Sequence, residues 1–255
     1  MLKAVLFDLW ETLIKDPGDR SQPRQAWRAA AVHRVLESTG CDAESDTVYE
    51  ALSNLSRGLN AMHDEGRDPG APGRVEMFFE LLSHPATSAF DGDVRTRILE
   101  AIGNISAEHA PLLASGAVES LSALKARGIT NALVSNAGVT TAPSLRWLLD
   151  EYGLRPHLDV LVFSDEMSMA KPDPAIFRHT LEALGADASE CAFVGDSPLN
   201  DIAGAQAAGI FAVQVGNRQR DGITPDAQID TLDQLIGALE AHNLLPTATN
   251  SHDRS

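Results

Sequence analysis

Polar side chains that could carry chemistry follow several short apolar runs of the sequence. Asp8 follows AVLF, Ser135 and Asn136 follow NALV, and Asp196 follows CAFVG. Lys171 stands seven residues after the run VLVFS. Asp8 and Asp196 offer the oxygen ligands that Mg²⁺ prefers, while Lys171 and the Ser135 hydroxyl can hold the oxygens of a phosphoryl group. This combination suits a dianionic group together with a divalent metal.

A third carboxylate stands five residues after Asp196. Asp201 lies near the predicted start of the next helix, and its spacing lets the carboxylate return to the metal or to Lys171. Each of these residues alone has an ordinary explanation, since Asp forms turns and helix caps, and Lys is usually solvated. Their joint occurrence is what indicates a site.

The elements that must position these residues are predicted from hydrophobic patterning. Apolar runs of strand length, without alternation, are typical of strands buried on both faces of a parallel sheet. Helical patterns lie between them, so the sequence predicts an α/β fold built from βαβ units. The carboxyl ends of parallel strands gather at one edge, where ligands bind in such folds. The predicted strands cover residues 2–8, 131–135, 160–164, 191–195 and 210–215, and the helices 116–127, 173–184 and 201–208.

The stretch from about residue 15 to about residue 110 has no comparable strand run. Helical patterns there cover residues 24–38, 45–62, 74–82 and 94–106, separated by Gly and Pro clusters such as DEGRDPGAPG. The sequence therefore predicts an all-helical insert between the first strand and the rest of the sheet. Residues 246–255 are polar and without periodicity, which predicts a frayed tail.

The composition is that of a globular protein, with 44% hydrophobic and 22% charged residues in a chain of 255. A formal net charge of −16 argues against the basic surface that grips nucleic acid or anionic lipid. Cys41 and Cys191 are not spaced as a metal or redox pair. There is no signal-peptide pattern at the N-terminus and no apolar run of ~18 residues. We therefore expect a cytoplasmic protein with no membrane or nucleic-acid partner.

Four motifs carry a resemblance to a known family. They are FDLWETL with Asp8, LVSN with Ser135, AKPDPAIF with Lys171, and VGDSPLNDIAGAQAAG with Asp196 and Asp201. With these motifs in this order, the chain resembles the haloacid dehalogenase (HAD) superfamily of hydrolases across nearly its full length. The combination of KPDP with GDSxxxDxxGAxxAG makes the resemblance highly specific.

The resemblance implies a domain organisation. A Rossmann-like catalytic core is expected from residues 1–14 and 111–245, and the helical insert, residues 15–110, is expected to be a cap domain that closes over the site. Residues 246–255 are expected to form a flexible tail.

The resemblance also implies a role for each motif residue. Asp8 is expected to attack phosphorus and form an aspartyl-phosphate, while Ser135 and Lys171 bind the transferring group. Asp196 is expected to ligate Mg²⁺, and Asp201 to support the metal shell or orient Lys171. The substrate would be a small phosphorylated molecule.

The chain departs from the family's phosphatases two residues after Asp8. Those phosphatases have a second Asp there, which protonates the leaving oxygen and then activates water. This chain has Trp10, whose indole N–H is no practical acid or base at neutral pH. General acid–base help is worth roughly 10²–10⁴-fold, so its loss should slow hydrolysis of poor leaving groups. The family's metal ligand at this position is the backbone carbonyl, which Trp10 keeps. Trp10 and Asn136, the latter through its backbone, are also expected at the substrate.

Three functions remain open from the sequence. A Mg²⁺-dependent phosphatase is favoured because VGDSPLND keeps the acidic, metal-binding form of the fourth motif. The alternative is a 2-haloacid dehalogenase-like hydrolase with Asp8 as nucleophile, since those enzymes resemble FDLWETL more closely and displacing halide needs no leaving-group acid. A third is a degenerate protein that binds a phosphorylated ligand or a protein partner without hydrolysis. The intact Asp8, Lys171 and Asp196 count against that third function.

Another residue could supply the missing proton. Glu11 is adjacent to Trp10, but family members that retain the second Asp also tolerate Glu at this place. The expected cap offers five side chains that could face the substrate: His33, His63, Arg24, Arg28 and Arg67.

Overall fold

The computed structural model describes residues 1–245, and the tail predicted for residues 246–255 lies outside this range. Within it, a six-stranded sheet is flanked by helices, and a second group of helices packs beside it. The strands, in chain order, are β1 (Ala4–Phe7), β2 (Ile14–Lys15), β3 (Leu112–Leu113), β4 (Thr130–Ser135), β5 (Val160–Phe163), β6 (Cys191–Gly195), β7 (Phe211–Val215) and β8 (Ala227–Ile229).

The six-stranded sheet has the spatial order β5-β4-β1-β6-β7-β8, and neighbouring strands are parallel throughout. β1 therefore lies at the centre, with Phe7 opposite Leu133 of β4 and Val194 of β6. The predicted parallel α/β sheet is confirmed. The residues that follow β1, β4 and β6 consequently lie side by side at one edge of the sheet.

Both faces of the sheet are buried, as the unbroken apolar runs predicted. Val5 and Phe7 belong to one hydrophobic cluster, whereas Ala4 and Leu6 belong to another on the opposite face. This division follows from the strand period of two, which points successive side chains to opposite faces. Burial on both sides fixes the register of β1, and with it the place at which Asp8 leaves the sheet.

Ten α-helices accompany the strands within residues 1–245. They are α1 (Gly18–Ser38), α2 (Ser45–Asp64), α3 (Gly70–Leu82), α4 (Gly92–Gly103), α5 (Ala117–Ala126), α6 (Ala142–Glu151), α7 (Ser164–Met167), α8 (Pro174–Leu184), α9 (Gly204–Ala207) and α10 (Leu235–Ala241).

Helices α1 to α4, which we call the helical unit, have a hydrophobic cluster of their own. Val32, Leu52, Phe78 and Ile98 represent one helix each in this cluster, and all four are fully buried. The unit is inserted between β2 and β3, which pair antiparallel, so that the chain leaves and re-enters the rest of the fold at adjacent points. Its cavity-facing side chains therefore stand on elements independent of the sheet.

The structure differs from the sequence predictions in several elements. The helix predicted for residues 201–208 is instead a π-helical turn, Pro198–Ala203, followed by the short helix α9. Helices α6 and α10, strand β8 and the β2–β3 pair were not predicted. Among the described residues, no helix combines the length and the apolar character needed to cross a membrane.

Candidate active site

Asp8 lies directly beyond the carboxyl end of β1, in a cavity of about 750 Å³. Its backbone N–H donates to the carbonyl of Val194, which continues the pairing of β1 with β6 for one more residue. The cavity is lined on one side by residues that follow the strands and on the other by residues of α1 and α2. Asp8 is thus held by the central strand and open to a ligand.

Lys171 joins two of the carboxylates. Its Nζ lies 2.6 Å from Oδ1 of Asp8 and 2.7 Å from Oδ1 of Asp201, and its side chain is buried. A buried ammonium needs such partners, because an unpaired charge away from water is costly. The structure therefore brings together three residues that are distant in sequence, as the sequence analysis expected.

Asp201 is held by the turn between β6 and α9. Its Oδ2 accepts a hydrogen bond of 2.8 Å from the backbone N–H of Ser197, at the start of the π-helical turn. A Cβ on Gly195 would lie 2.4 Å from Cγ of Asp201, so only glycine leaves room for this carboxylate. Gly195, the glycine of the fourth motif, is therefore required by the position of Asp201, six residues later in the sequence.

Asp196 completes a cluster of three carboxylates. One oxygen of each of Asp8, Asp196 and Asp201 lies within 4.8 Å of the others. Oδ2 of Asp196 also accepts a hydrogen bond of 2.5 Å from Nη1 of Arg218. Hard oxygen donors converging at this spacing fit a divalent cation such as Mg²⁺. The donor set present in the chain thus suits the expected metal.

The electrostatics of the cluster reflect its excess of negative charge. Burial raises the pKa of Asp8 to about 7, and the charges of Asp201 and Asp196 act in the same direction, while Lys171 opposes them. The pKa of Asp196 is also raised, by burial and by Asp201, with Arg218 opposing. Burial acts to lower the pKa of Lys171, but the charges of Asp201 and Asp8 outweigh it and raise that pKa. A bound cation would relieve the repulsion among the acids.

Asn136 fixes the backbone of Lys171. Its Nδ2 donates to the carbonyl of Lys171 at 2.9 Å, and its Oδ1 accepts from the backbone N–H of Lys171 at 2.9 Å. The side chain of Asn136 thus has a structural role beside the expected contact of its backbone with the substrate, which stays a prediction. Ser135 is fully buried and its Oγ is 3.5 Å from the carbonyl of Asn136. Among the described residues that line the cavity, Asn136 is present and Ser135 is not.

Trp10 lines the cavity as a half-buried side chain and packs against the larger hydrophobic cluster. Cζ of Arg24 lies 5.7 Å from the centroid of its ring, a cation–π arrangement. The neighbouring Glu11 also lines the cavity, but its Oε1 accepts a hydrogen bond of 2.9 Å from the backbone N–H of Asp16. Glu11 has φ = 59°, a left-handed conformation that is uncommon for residues other than glycine. Glu11 thus stabilises a tight turn with its side chain.

The helical unit contributes three of the five polar side chains that the sequence offered. Arg24, Arg28 and His63 line the cavity, whereas His33 and Arg67 are absent from its lining among the described residues. His63 is buried and its Nε2 lies 2.9 Å from Oδ2 of Asp68. The helical unit therefore places two arginines and one histidine opposite the carboxylate cluster.

Arg218 was missed by the sequence analysis, although a signal for it exists. It follows the apolar run of β7 by three residues, and the strand-end rule that found Asp8 and Asp196 applies to it equally. Gln214 at the end of β7 donates from Nε2 to the carbonyl of Arg218 at 2.6 Å, which holds this segment beside Asp196.

Comparison of the sequence with known proteins identifies a matching family and similar phosphatases. The family model described as haloacid dehalogenase-like hydrolase matches residues 2–209. A phosphoserine phosphatase of Thermus thermophilus is 37% identical, with 92% of this chain and 98% of the relative covered. A ribulose-1,5-bisphosphate 5-phosphatase of Halopiger xanaduensis is 30% identical, with the same two shares covered.

A solved structure shares the fold over nearly the whole chain. A 2-haloacid dehalogenase of Pseudomonas syringae pv. Tomato superposes with a TM-score of 0.67 at 24% identity, with 95% of this chain and 100% of the other covered. At that identity the likeness shows the fold alone. The family match over residues 2–209 and the carboxylate cluster at the sheet edge lead to one conclusion: the chain belongs to the haloacid dehalogenase-like hydrolases.

Proposed function

We propose that this hydrolase is a Mg²⁺-dependent phosphatase that acts on a small phosphorylated metabolite through an aspartyl-phosphate at Asp8. The observation that carries the proposal is the buried cluster of Asp8, Asp196 and Asp201, bridged by Lys171. A site that displaces halide has no need of three converging acids, whereas a divalent cation held by those acids would offset both their charge and that of a bound phosphoryl group. The phosphatase names of the relatives support the same activity.

The covalent step begins at the carboxylate of Asp8. An oxygen of Asp8 forms a bond to phosphorus while the bond between phosphorus and the ester oxygen breaks. The ester oxygen leaves with the electron pair as an alkoxide and takes a proton from water to become the alcohol. The oxygen of a water molecule then forms a bond to phosphorus while the bond between phosphorus and Asp8 breaks, which releases inorganic phosphate and a proton to solvent and leaves Asp8 as a free carboxylate. Lys171 holds the Asp8 carboxylate in place for attack and, with Ser135, is proposed to bind the transferring oxygens.

Mg²⁺ would be held by carboxylates of Asp8, Asp196 and Asp201 and by the backbone carbonyl of Trp10. When bound, it supplies positive charge that neutralises the phosphoryl oxygens. Arg218, which donates to Asp196, orients that carboxylate.

The helical unit is proposed to be a cap over this site, with residues 15–110 as the cap and residues 1–14 and 111–245 as the catalytic core. Arg24, Arg28 and His63 reach the cavity from the helical unit, which supports that division. A cytoplasmic location, expected from the sequence, stays a prediction.

Trp10 favours a second candidate function. An aromatic side chain in the place of the leaving-group acid is compatible with a 2-haloacid dehalogenase, in which Asp8 would attack carbon and halide would leave without a proton. The acidic cluster weighs against this alternative, because in a metal-free site the three carboxylates would share only the positive charges of Lys171 and Arg218. The intact Asp8, Lys171 and Asp196 count against the third alternative, a protein that binds a phosphorylated ligand without hydrolysis.

A panel of phosphate esters and 2-haloacids, each assayed with and without Mg²⁺, tests the proposal. We expect phosphate release from at least one ester, dependent on Mg²⁺, and no release of halide. Halide release without metal would establish the dehalogenase instead. Ligand binding without release of either product would favour the non-hydrolytic function.

A further inference from the structure

One buried cation has no acidic partner within residues 1–245. Within residues 1–245, four lysine or arginine side chains are buried, and three of them lie within 4.0 Å of a carboxylate. Arg24 pairs with Asp16, Arg74 with Asp68, and Lys171 with Asp8 and Asp201. The fourth is Arg28, which is 4% exposed and has no carboxylate within that distance among the described residues.

The contacts of Arg28 are all to neutral oxygens. Its Nε donates to the carbonyl of Asn104 at 3.0 Å, and its Nη2 donates to Oγ1 of Thr140. Its Nη1 makes no hydrogen bond to the part of the chain that the structure describes. Burial and the neighbouring charge of Arg24 lower the pKa of Arg28 to about 9, while the charge of Asp16 opposes them. The guanidinium is therefore held in position by neutral oxygens, and within residues 1–245 no carboxylate contacts it directly.

Arg28 and the carboxylate cluster share one cavity. Arg28 reaches it from α1, whereas Asp8 and Lys171 reach it from the sheet edge. A planar guanidinium presents paired N–H donors that match a carboxylate. Arg24, Asp16 and Arg28 together carry a net charge of +1, which one monoanionic group balances. A second phosphate, close to a dianion at neutral pH, would exceed it.

We propose that Arg28 binds a carboxylate of the substrate, so that the substrate class is the phosphate monoester of a hydroxy carboxylic acid. The inference rests on the proposed phosphatase function. In it, the phosphoryl group lies at Asp8 and Lys171 and the carboxylate at Arg28, with the hydroxyl of Thr140 holding the guanidinium. Arg28 is then a specificity-determining residue. The reaction that supplies the substrate must yield a carboxylic acid whose hydroxyl group is phosphorylated.

Three esters of similar size test this assignment. 2-Phosphoglycolate carries a carboxylate, 2-hydroxyethyl phosphate carries a hydroxymethyl group in its place, and ethylene glycol bisphosphate carries a second phosphate. We expect the wild type to favour the carboxylate ester over the hydroxymethyl ester in kcat/KM by about 10- to 100-fold, which is the range for a hydrogen-bonded charge pair. Arg28→Gln should lower this ratio to near one. Arg28→Lys should give an intermediate ratio, because lysine keeps the positive charge but lacks the paired N–H donors of the guanidinium.

Arg34→Gln is the matched control. Arg34 is exposed and lies on the same helix as Arg28, and the substitution removes the same charge. The ratio of kcat/KM for the carboxylate ester over the hydroxymethyl ester should therefore equal that of the wild type. An equal fall in kcat/KM for all three esters in Arg28→Gln, or a wild-type ratio near one, would overturn the inference and make Arg28 a structural residue. A wild-type preference for the bisphosphate that Arg28→Gln abolishes would overturn the carboxylate assignment.

A binding measurement separates this inference from the proposed function. 2-Phosphoglycolate is titrated calorimetrically into Asp8→Asn protein and into the double variant with Arg28→Gln, both in the presence of Mg²⁺. We expect the double variant to bind about 10- to 100-fold more weakly. If no ester is hydrolysed but this difference remains, the phosphatase proposal fails and the carboxylate site stands. If the two proteins bind equally, or neither binds, the carboxylate site is refuted.

Discussion

Asp68 should make the stability of this protein sensitive to acid in a defined pH range. It is buried in the loop between α2 and α3 and accepts three hydrogen bonds on Oδ2, from His63 at 2.9 Å, Arg74 at 2.9 Å and Ser164 at 2.7 Å. Gly70 donates its backbone N–H to Oδ1 at 2.8 Å. Since Ser164 belongs to the sheet side of the fold, the carboxylate ties the helical unit to it.

The size of the effect follows from the pKa of Asp68. Burial alone would raise this pKa, but the hydrogen bond from His63 and the charge of Arg74 outweigh burial and lower it from 3.8 to about 2. One pKa unit corresponds to ~1.4 kcal/mol, so ionised Asp68 contributes about 2 kcal/mol to the free energy of unfolding. Because the pKa is depressed in the folded state, this contribution is present above about pH 4 and disappears as the pH falls towards 2.

Urea unfolding between pH 6 and pH 2 tests the prediction on the wild type and Asp68→Asn. The variant lacks the titrating group. The difference in free energy of unfolding between the wild type and Asp68→Asn should therefore shrink by about 2 kcal/mol between pH 5 and pH 2. Asp221→Asn, at an exposed position, is the control and should stay parallel to the wild type throughout. Parallel curves for the wild type and Asp68→Asn would refute the reasoning.

Three further predictions concern the site. Wild-type enzyme should hydrolyse aryl phosphates faster than alkyl phosphates, and Trp10→Asp should raise alkyl phosphate release by up to ~10²-fold; similar wild-type rates with no gain in the folded variant would mean that another cavity residue supplies the proton. Gly195→Ala should destabilise the fold by roughly 1–3 kcal/mol and displace Asp201, with loss of phosphate release. Gly237→Ala, at an exposed position of α10 with nothing within 4 Å of the added Cβ, is the control: activity should stay at the wild-type level and stability should rise by up to about 1 kcal/mol, because alanine favours a helix interior over glycine. Asp196→Asn should shift the Mg²⁺ titration of activity to higher concentration, and an unchanged titration contradicts the metal assignment.

The parallel sheet was predictable because its strands are buried on both faces. β6 has the bounds that its apolar run indicated, Cys191–Gly195, and the polar residues after β1 and β6 meet as expected. β8 escaped prediction because it has three residues, one of them the exposed Gln228 at its centre. The two-residue strands β2 and β3 are too short to leave any periodicity.

The cavity side of the helical unit was less predictable than the sheet edge. On a helix of about 100° per residue, Arg24 and Arg28 share a face, and His33 lies about 180° from Arg24. The sequence thus separates His33 from the two arginines, but only the packing of α1 against the rest of the fold shows which face meets the cavity. The partners of Arg28 were equally hidden, because Asn104 and Thr140 are far from it in sequence.

The central claim is that Asp8 is the nucleophile of a phosphatase, and one comparison tests it most directly. Phosphate release from the preferred ester is measured with Mg²⁺ for the wild type and for Asp8→Asn, with unfolding curves to verify that both are folded. The amide is nearly isosteric with the carboxylate but a far weaker nucleophile, so the account predicts release by the wild type and none by the variant above a mock preparation. Phosphate release by folded, purified Asp8→Asn at a rate near that of the wild type would contradict it.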